Sequence, residues 1–74
     1  MSTLSKSEKL QLINARINGL EFKKYGLELD LIVENAKSSP DADSIGVINS
    51  TISEIEGQLE AINAELSAVN ALTE

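Results

Sequence analysis

Apolar residues recur along this chain at alternating spacings of three and four, in two separate stretches. The first holds Leu10, Ile13, Ile17, Leu20, Leu27 and Leu31, with Lys24 and Glu34 filling its two remaining places. The second holds Ile45, Ile48, Ile52, Ile55, Leu59, Ile62, Leu66 and Val69 without a polar interruption. That spacing draws one stripe down an α-helix, and its persistence over four heptads is the pattern of a helix–helix seam. The two stripes mirror each other about Ser38–Asp43. Folding the chain there sets Leu10 opposite Val69, Ile13 opposite Leu66, Ile17 opposite Ile62, Leu20 opposite Leu59, Leu27 opposite Ile52 and Leu31 opposite Ile48. The pattern predicts an all-α chain: one domain, an antiparallel two-helix coiled-coil hairpin.

Local signals set the boundaries. Ser5-Lys6-Ser7-Glu8 fits a capping box, in which serine and glutamate side chains satisfy each other's free amide groups. Helix 1 is predicted over about 6–37, with Lys37 near the negative end of its dipole. The break spans 38–43, and Ser39 is the expected cap of helix 2. Pro40 would then sit in the first turn, where a missing N–H costs nothing. Helix 2 is predicted over about 41–72, with Asp41 and Asp43 near its positive end. Asn18-Gly19 and the alternating Leu27–Leu31 segment argue against continuity in helix 1, and each interior glycine costs about 1 kcal/mol against alanine. The seam nevertheless passes through both glycines, so helix is retained and a kink at Gly19 or Gly26 is left open.

A second stripe lies on the back of helix 1. Leu12, Ala15, Gly19, Phe22, Gly26, Leu29, Val33 and Ala36 follow the same three-four rule, bordered by Tyr25 and Ile32. A solvated helix back is rich in Lys and Glu; this one is apolar or small. On helix 2 the back becomes small toward its end, at Gly57, Ala61, Ala64, Ala68 and Ala71. One seam between two helices is a thin core. Two apolar stripes therefore predict a second interface: self-association into a four-helix bundle or a trimer of hairpins. A dimer is favoured because it needs only one added contact. Isoleucine at both seam positions of helix 2 leans toward more strands if copies of it meet in parallel. Leu12, Phe22, Tyr25, Leu29 and Val33 form the candidate interaction face. Phe22 and Tyr25 are either oligomer core or a docking patch for another protein. Gly19 and Gly26 either permit close backbone approach or are incidental. Lys24, opposite Ile55, is expected to lay its methylenes across the seam and send its ammonium to water, with register-fixing as the alternative. Arg16 is placed within reach of Glu65.

Composition narrows the function. Seventy-four residues with 3% aromatics leave no room for an enzyme-sized cleft. With no cysteine and no histidine, there is no disulfide, thiol nucleophile, Ser-His-Asp triad or ordinary zinc site. The net charge is −6, and all six bases precede Asp41. A scattered basic set on an acidic chain argues against nucleic acid and anionic membranes as partners. The first residues carry no apolar signal core, and Leu31-Ile32-Val33 is too short to cross a bilayer, so the expected location is cytoplasmic. Asp41-Ala42-Asp43-Ser44-Ile45-Gly46 imitates part of a calcium loop. Ile45 and Ile52, however, stand where that loop needs oxygen ligands. Glu56 and Glu60 share a helix face with no base nearby in sequence, which reads as a solvated face, and Asn49-Ser50-Thr51 fits a glycosylation pattern of no consequence without secretion. No catalytic residue, cofactor or metal is expected.

With the hairpin in view, Lys9–Ile17, Ala36–Asp41 and Ile52–Leu59 resemble the small helical proteins that tailed bacteriophages encode for tail-fibre assembly or as virion accessories. The likeness extends over about residues 5–72. It implies a non-catalytic assembly chaperone or adaptor that binds a folding partner. The chain is also similar to the hairpin needle subunits of bacterial secretion systems. Those typically carry two prolines at the turn, where this chain has Pro40 alone. The expected function is thus protein–protein interaction by an oligomeric chaperone or adaptor with an unidentified protein partner. The alternatives are a structural subunit of a virion or filament, and a small acidic inhibitor that masks a basic site.

Overall fold

A computed structural model describes residues 3–73 of the chain. Met1, Ser2 and Glu74 lie outside the described residues. Two helices account for nearly all of the rest: α1, Lys6–Asn35, and α2, Ala42–Asn70. They pack against each other along their length in a rod of 57 × 20 × 15 Å. Lys6 at the start of α1 reaches the carbonyls of Asn70 and Leu72 at the end of α2, so the helices run antiparallel.

The seam is where the three-four spacing places it. Every one of its sixteen positions is buried or half-buried, whereas most other positions of both helices are exposed. The core is nonetheless thin. Among the described residues only Ile55, at 2% exposure, and Val69, at 4%, are buried apolar residues. A rod two helices wide leaves each seam side chain open along two edges, so burial is partial by geometry.

Helix α1 runs as a single α-helix through Gly19 and Gly26, and no glycine has a positive φ. Tertiary contact along the whole seam outweighs the propensity cost of two glycines. Its start is the capping box: Ser5 Oγ accepts the Glu8 N–H at 3.1 Å, and Glu8 Oε1 accepts the Ser5 N–H at 3.0 Å. At the other end, α1 stops at Asn35 rather than near Lys37, and the Lys37 ammonium is drawn to the Glu34 carboxylate at 2.9 Å.

The cap of α2 differs from the expectation. Asp41, not Ser39, is the N-cap, and Pro40 precedes the helix instead of opening it. The reason is local. Asp41 Oδ1 accepts the Asp43 N–H at 3.1 Å and Oδ2 accepts the Ser44 hydroxyl at 2.9 Å. A carboxylate can hold both groups at once and carries charge to the positive helix end; Ser39 has one hydroxyl.

Glu34 completes the turn. At 8% exposure it is the one buried charged residue among those described. Its Oε2 accepts the backbone N–H of Asp41 at 2.9 Å while Oε1 accepts the Lys37 ammonium. In an ordinary capping box the residue three positions into the helix bonds back to the N-cap amide. Here that place belongs to Ser44, and the last turn of α1 supplies the carboxylate instead.

Candidate functional site

The face of the rod formed by the back of α1 is apolar and open. Relative to the seam, positions on the far side of α1 between Gln11 and Ala36 contain no charged residue. The acids and bases of that stretch all fall on the seam or its flanks: Arg16, Lys23 and Asp30 on one side, Glu21 and Glu28 on the other. Helical rotation alone produces this, because residues three and four apart share a face.

The exposed residues follow. Phe22 is 84% exposed, while Tyr25, Ile32 and Val33 each exceed 60%. Leu12 and Leu29 are exposed to a lesser degree. All five residues of the candidate face (Leu12, Phe22, Tyr25, Leu29 and Val33) thus lie outside the intramolecular core. Tyr25 and Ile32 form one border of the stripe, Leu12 and Val33 the other, and Phe22 and Leu29 its crest. Isolated exposed hydrophobics are ordinary on proteins; here they form a contiguous strip without charge.

At the turn end the strip borders a groove whose walls carry charge. There Asp30, Val33, Glu34, Lys37, Ser44 and Val47 line a solvent-open groove of about 580 Å³. Val47, in the first turns of α2, is exposed too. Sequence reasoning did not single out Val47. The signal was available, since it follows the seam residue Ile45 by two and so points outward.

Polar groups near the seam act structurally. Lys24 does not simply reach water: its ammonium pairs with Glu56 Oε2 at 3.2 Å, bridging the two helices. Glu56 neighbours Ile55, the residue opposite Lys24, so a four-carbon stem reaches it without strain. Arg16 and Glu65 form no ion pair. Arg16 instead borders a shallow groove with Leu20, Gln58, Ala61 and Ile62.

Three carboxyl groups titrate below their ordinary range, and each is explained by capping. Glu34 is lowered first by the Asp41 amide and then by Lys37. Asp41 is lowered by the Ser44 hydroxyl and the Asp43 amide. Glu8 is lowered by the Ser5 amide and hydroxyl. None of these groups is poised to exchange a proton near neutrality, and among the described residues no cluster of acids could hold a metal ion. Nor is any helix of the described residues long and apolar enough to cross a membrane.

The fold and face together define an all-α helical hairpin with one apolar side outside the contact between its helices. In comparisons with protein-family models, curated proteins and solved structures, nothing matches this chain.

Proposed function

We propose that this chain is a non-catalytic protein–protein interaction module, an assembly chaperone or adaptor of the kind small phage proteins exemplify, working through the outer face of α1. One observation carries the reading: a strip free of charge from Gln11 to Ala36, crowned by Phe22 at 84% exposure. Leaving that area in water is costly, at roughly 25 cal/mol per Å² of apolar surface. A covering partner removes the cost. Self-association and capture of a different protein draw on the same surface.

The decisive experiment compares the natural chain with Phe22→Glu. Circular dichroism should show both equally helical, because the ring touches nothing that the hairpin needs. Solution mass and capture of partners from the native host should both change. If Phe22→Glu matches the natural chain in mass and in everything it binds, the outer face is idle and the proposal fails.

The back of α2 favours a second reading, as a structural subunit. Gly57, Ala61, Ala64, Ala68 and Ala71 are all exposed and small. A large-residue face on one side and a small-residue face on the other can stack head to tail without closing, which gives a filament. Open-ended growth of mass with concentration is its signature.

A further inference from the structure

The outer stripe of α1 is complementary to itself when reversed. Laid antiparallel on a second α1, Leu12 comes level with Ala36, Ala15 with Val33, Gly19 with Leu29, and Phe22 with Gly26. A twofold axis repeats the four layers. Each joins one large side chain to one small one, so the two backbones can run at an even separation. Sliding by one heptad destroys the match. In one direction Phe22 collides with Val33 while Gly19 faces Ala36 across a gap; in the other, Leu12 meets Leu29 and Ala15 meets Gly26.

We infer that a second copy of this chain covers the outer face of α1 in this antiparallel register, with Phe22 of each copy seated over Gly26 of the other. The inference rests on the proposed interaction role of that face and names its occupant.

The hairpin gives no reason of its own for these glycines. A Cβ at Gly19 or Gly26 would meet nothing within 4 Å, and neither has a backbone conformation closed to other residues. Each still costs about 1 kcal/mol of helix propensity. Gly46 and Gly57 are equally unobstructed, so free space alone distinguishes nothing. What sets Gly19 and Gly26 apart is that both fall opposite large, exposed side chains when the stripe meets itself.

Charge and area agree with the same occupant. In this register Arg16, on the border of the stripe, stands two residues (about 3 Å along the axis) from level with Asp30 of the second copy, within reach of a long side chain, and the twofold makes two such pairs. Lys23 approaches Lys23 of the second copy near the axis; both side chains are exposed and long enough to turn into water. Tyr25 meets its own counterpart on the other border. The exposed area of the six large residues on this face is on the order of several hundred Å² per copy, in the range of the ~800 Å² per partner of a stable interface.

The chain contains no cysteine, so each one introduced reports on a single position. Leu12→Cys mixed with Ala36→Cys should form a disulfide-linked dimer under mild oxidation. Leu12→Cys alone should not, because its two copies would stand roughly 36 Å apart at 1.5 Å per residue. Gly26→Phe should stay helical, since the hairpin has room for the ring, yet become monomeric at concentrations where the natural chain is a dimer. Combining it with Phe22→Gly exchanges large for small in the same layers and should restore the dimer. A monomeric natural chain, self-crosslinking of Leu12→Cys, open-ended polymers, or a double variant no better than Gly26→Phe would each overturn the assignment. The broader reading is judged separately, by whether Phe22→Glu alters what the chain binds.

Discussion

Glu34 shows how much one side chain can contribute to a turn. It occupies a seam position, where an acid is ordinarily unfavourable, and is kept there by an amide from the far side of the break and an ammonium from its own side. Nothing in the local sequence announces this. The Glu34-to-Asp41 spacing becomes meaningful only after the chain has reversed direction. The same limit explains the misplaced cap and the misplaced ion pair. Ser39 and Asp41 are both good N-caps, and the choice turned on two bonds that Asp41 alone can make together. Arg16–Glu65 and Lys24–Glu56 are both compatible with the seam; long flexible side chains decide between them by small margins. Exposed pairs of this kind are worth under about 1 kcal/mol, so Glu56→Gln should lower stability by less than that in urea melts. Glu34 makes a sharper prediction. Its folded pKa is depressed, so its contribution is fully present above the ordinary carboxyl range, near 4.5, and is lost as pH falls through the folded value. Glu8 and Asp41 act in the same direction, while neutralising an acidic chain relieves self-repulsion and opposes them. Comparing variants cancels that background. Natural protein and Glu34→Gln should differ in melting temperature at pH 7 and converge on acidification below about 4.5; a gap that stays constant with pH means the carboxylate charge has no part in the clasp.

Each helix was legible because its stripe repeats over four heptads, which no short strand or loop imitates. Chain direction was legible too, since the two stripes mirror about a single break. What remained open was continuity in α1. Asn18-Gly19 is a turn signal in isolation, and a short alternating run resembles a strand, but both are overridden by contact with α2 along the entire seam. Helix α1 is therefore stable because of its neighbour rather than its composition. Two consequences separate these contributions. Ile55→Ala removes most of the best-buried side chain and should cost about 2–4 kcal/mol, toward the lower part of the range for core truncations because a two-helix seam can close partly around the gap. Gly19→Ala should act in the opposite sense. Its Cβ has open space and adds about 1 kcal/mol of helix propensity, a rise of about 4–8 °C in melting temperature for a domain of this size. Measured at concentrations where the chain is monomeric, a fall in melting temperature at Gly19→Ala would mean that the glycine supports the hairpin itself.

At the scale of the molecule, the rod has a thin core, polar flanks and one long apolar face. The candidate residues on that face were readable from helical rotation alone. The identity of any partner was not, because a stripe specifies its own periodicity and leaves that choice to shape and charge. Salt dependence distinguishes the main readings. Each copy carries −6, so two copies repel at long range, while the strip proposed to join them contains no charge. Raising ionic strength from about 0.01 to 0.15 M shortens the screening length from roughly 30 to 8 Å, weakening repulsion between whole molecules more than contact within the apolar layers. The two Arg16–Asp30 pairs at the rim would lose strength at the same time, but exposed pairs contribute little. Self-association should therefore hold or tighten a few-fold over that range by analytical ultracentrifugation. An acidic inhibitor bound to a basic target has the opposite dependence, since its attraction is what salt screens. A steep loss of self-association with added salt would place the contact on the charged flanks, and the outer face of α1 would then be left without its proposed role.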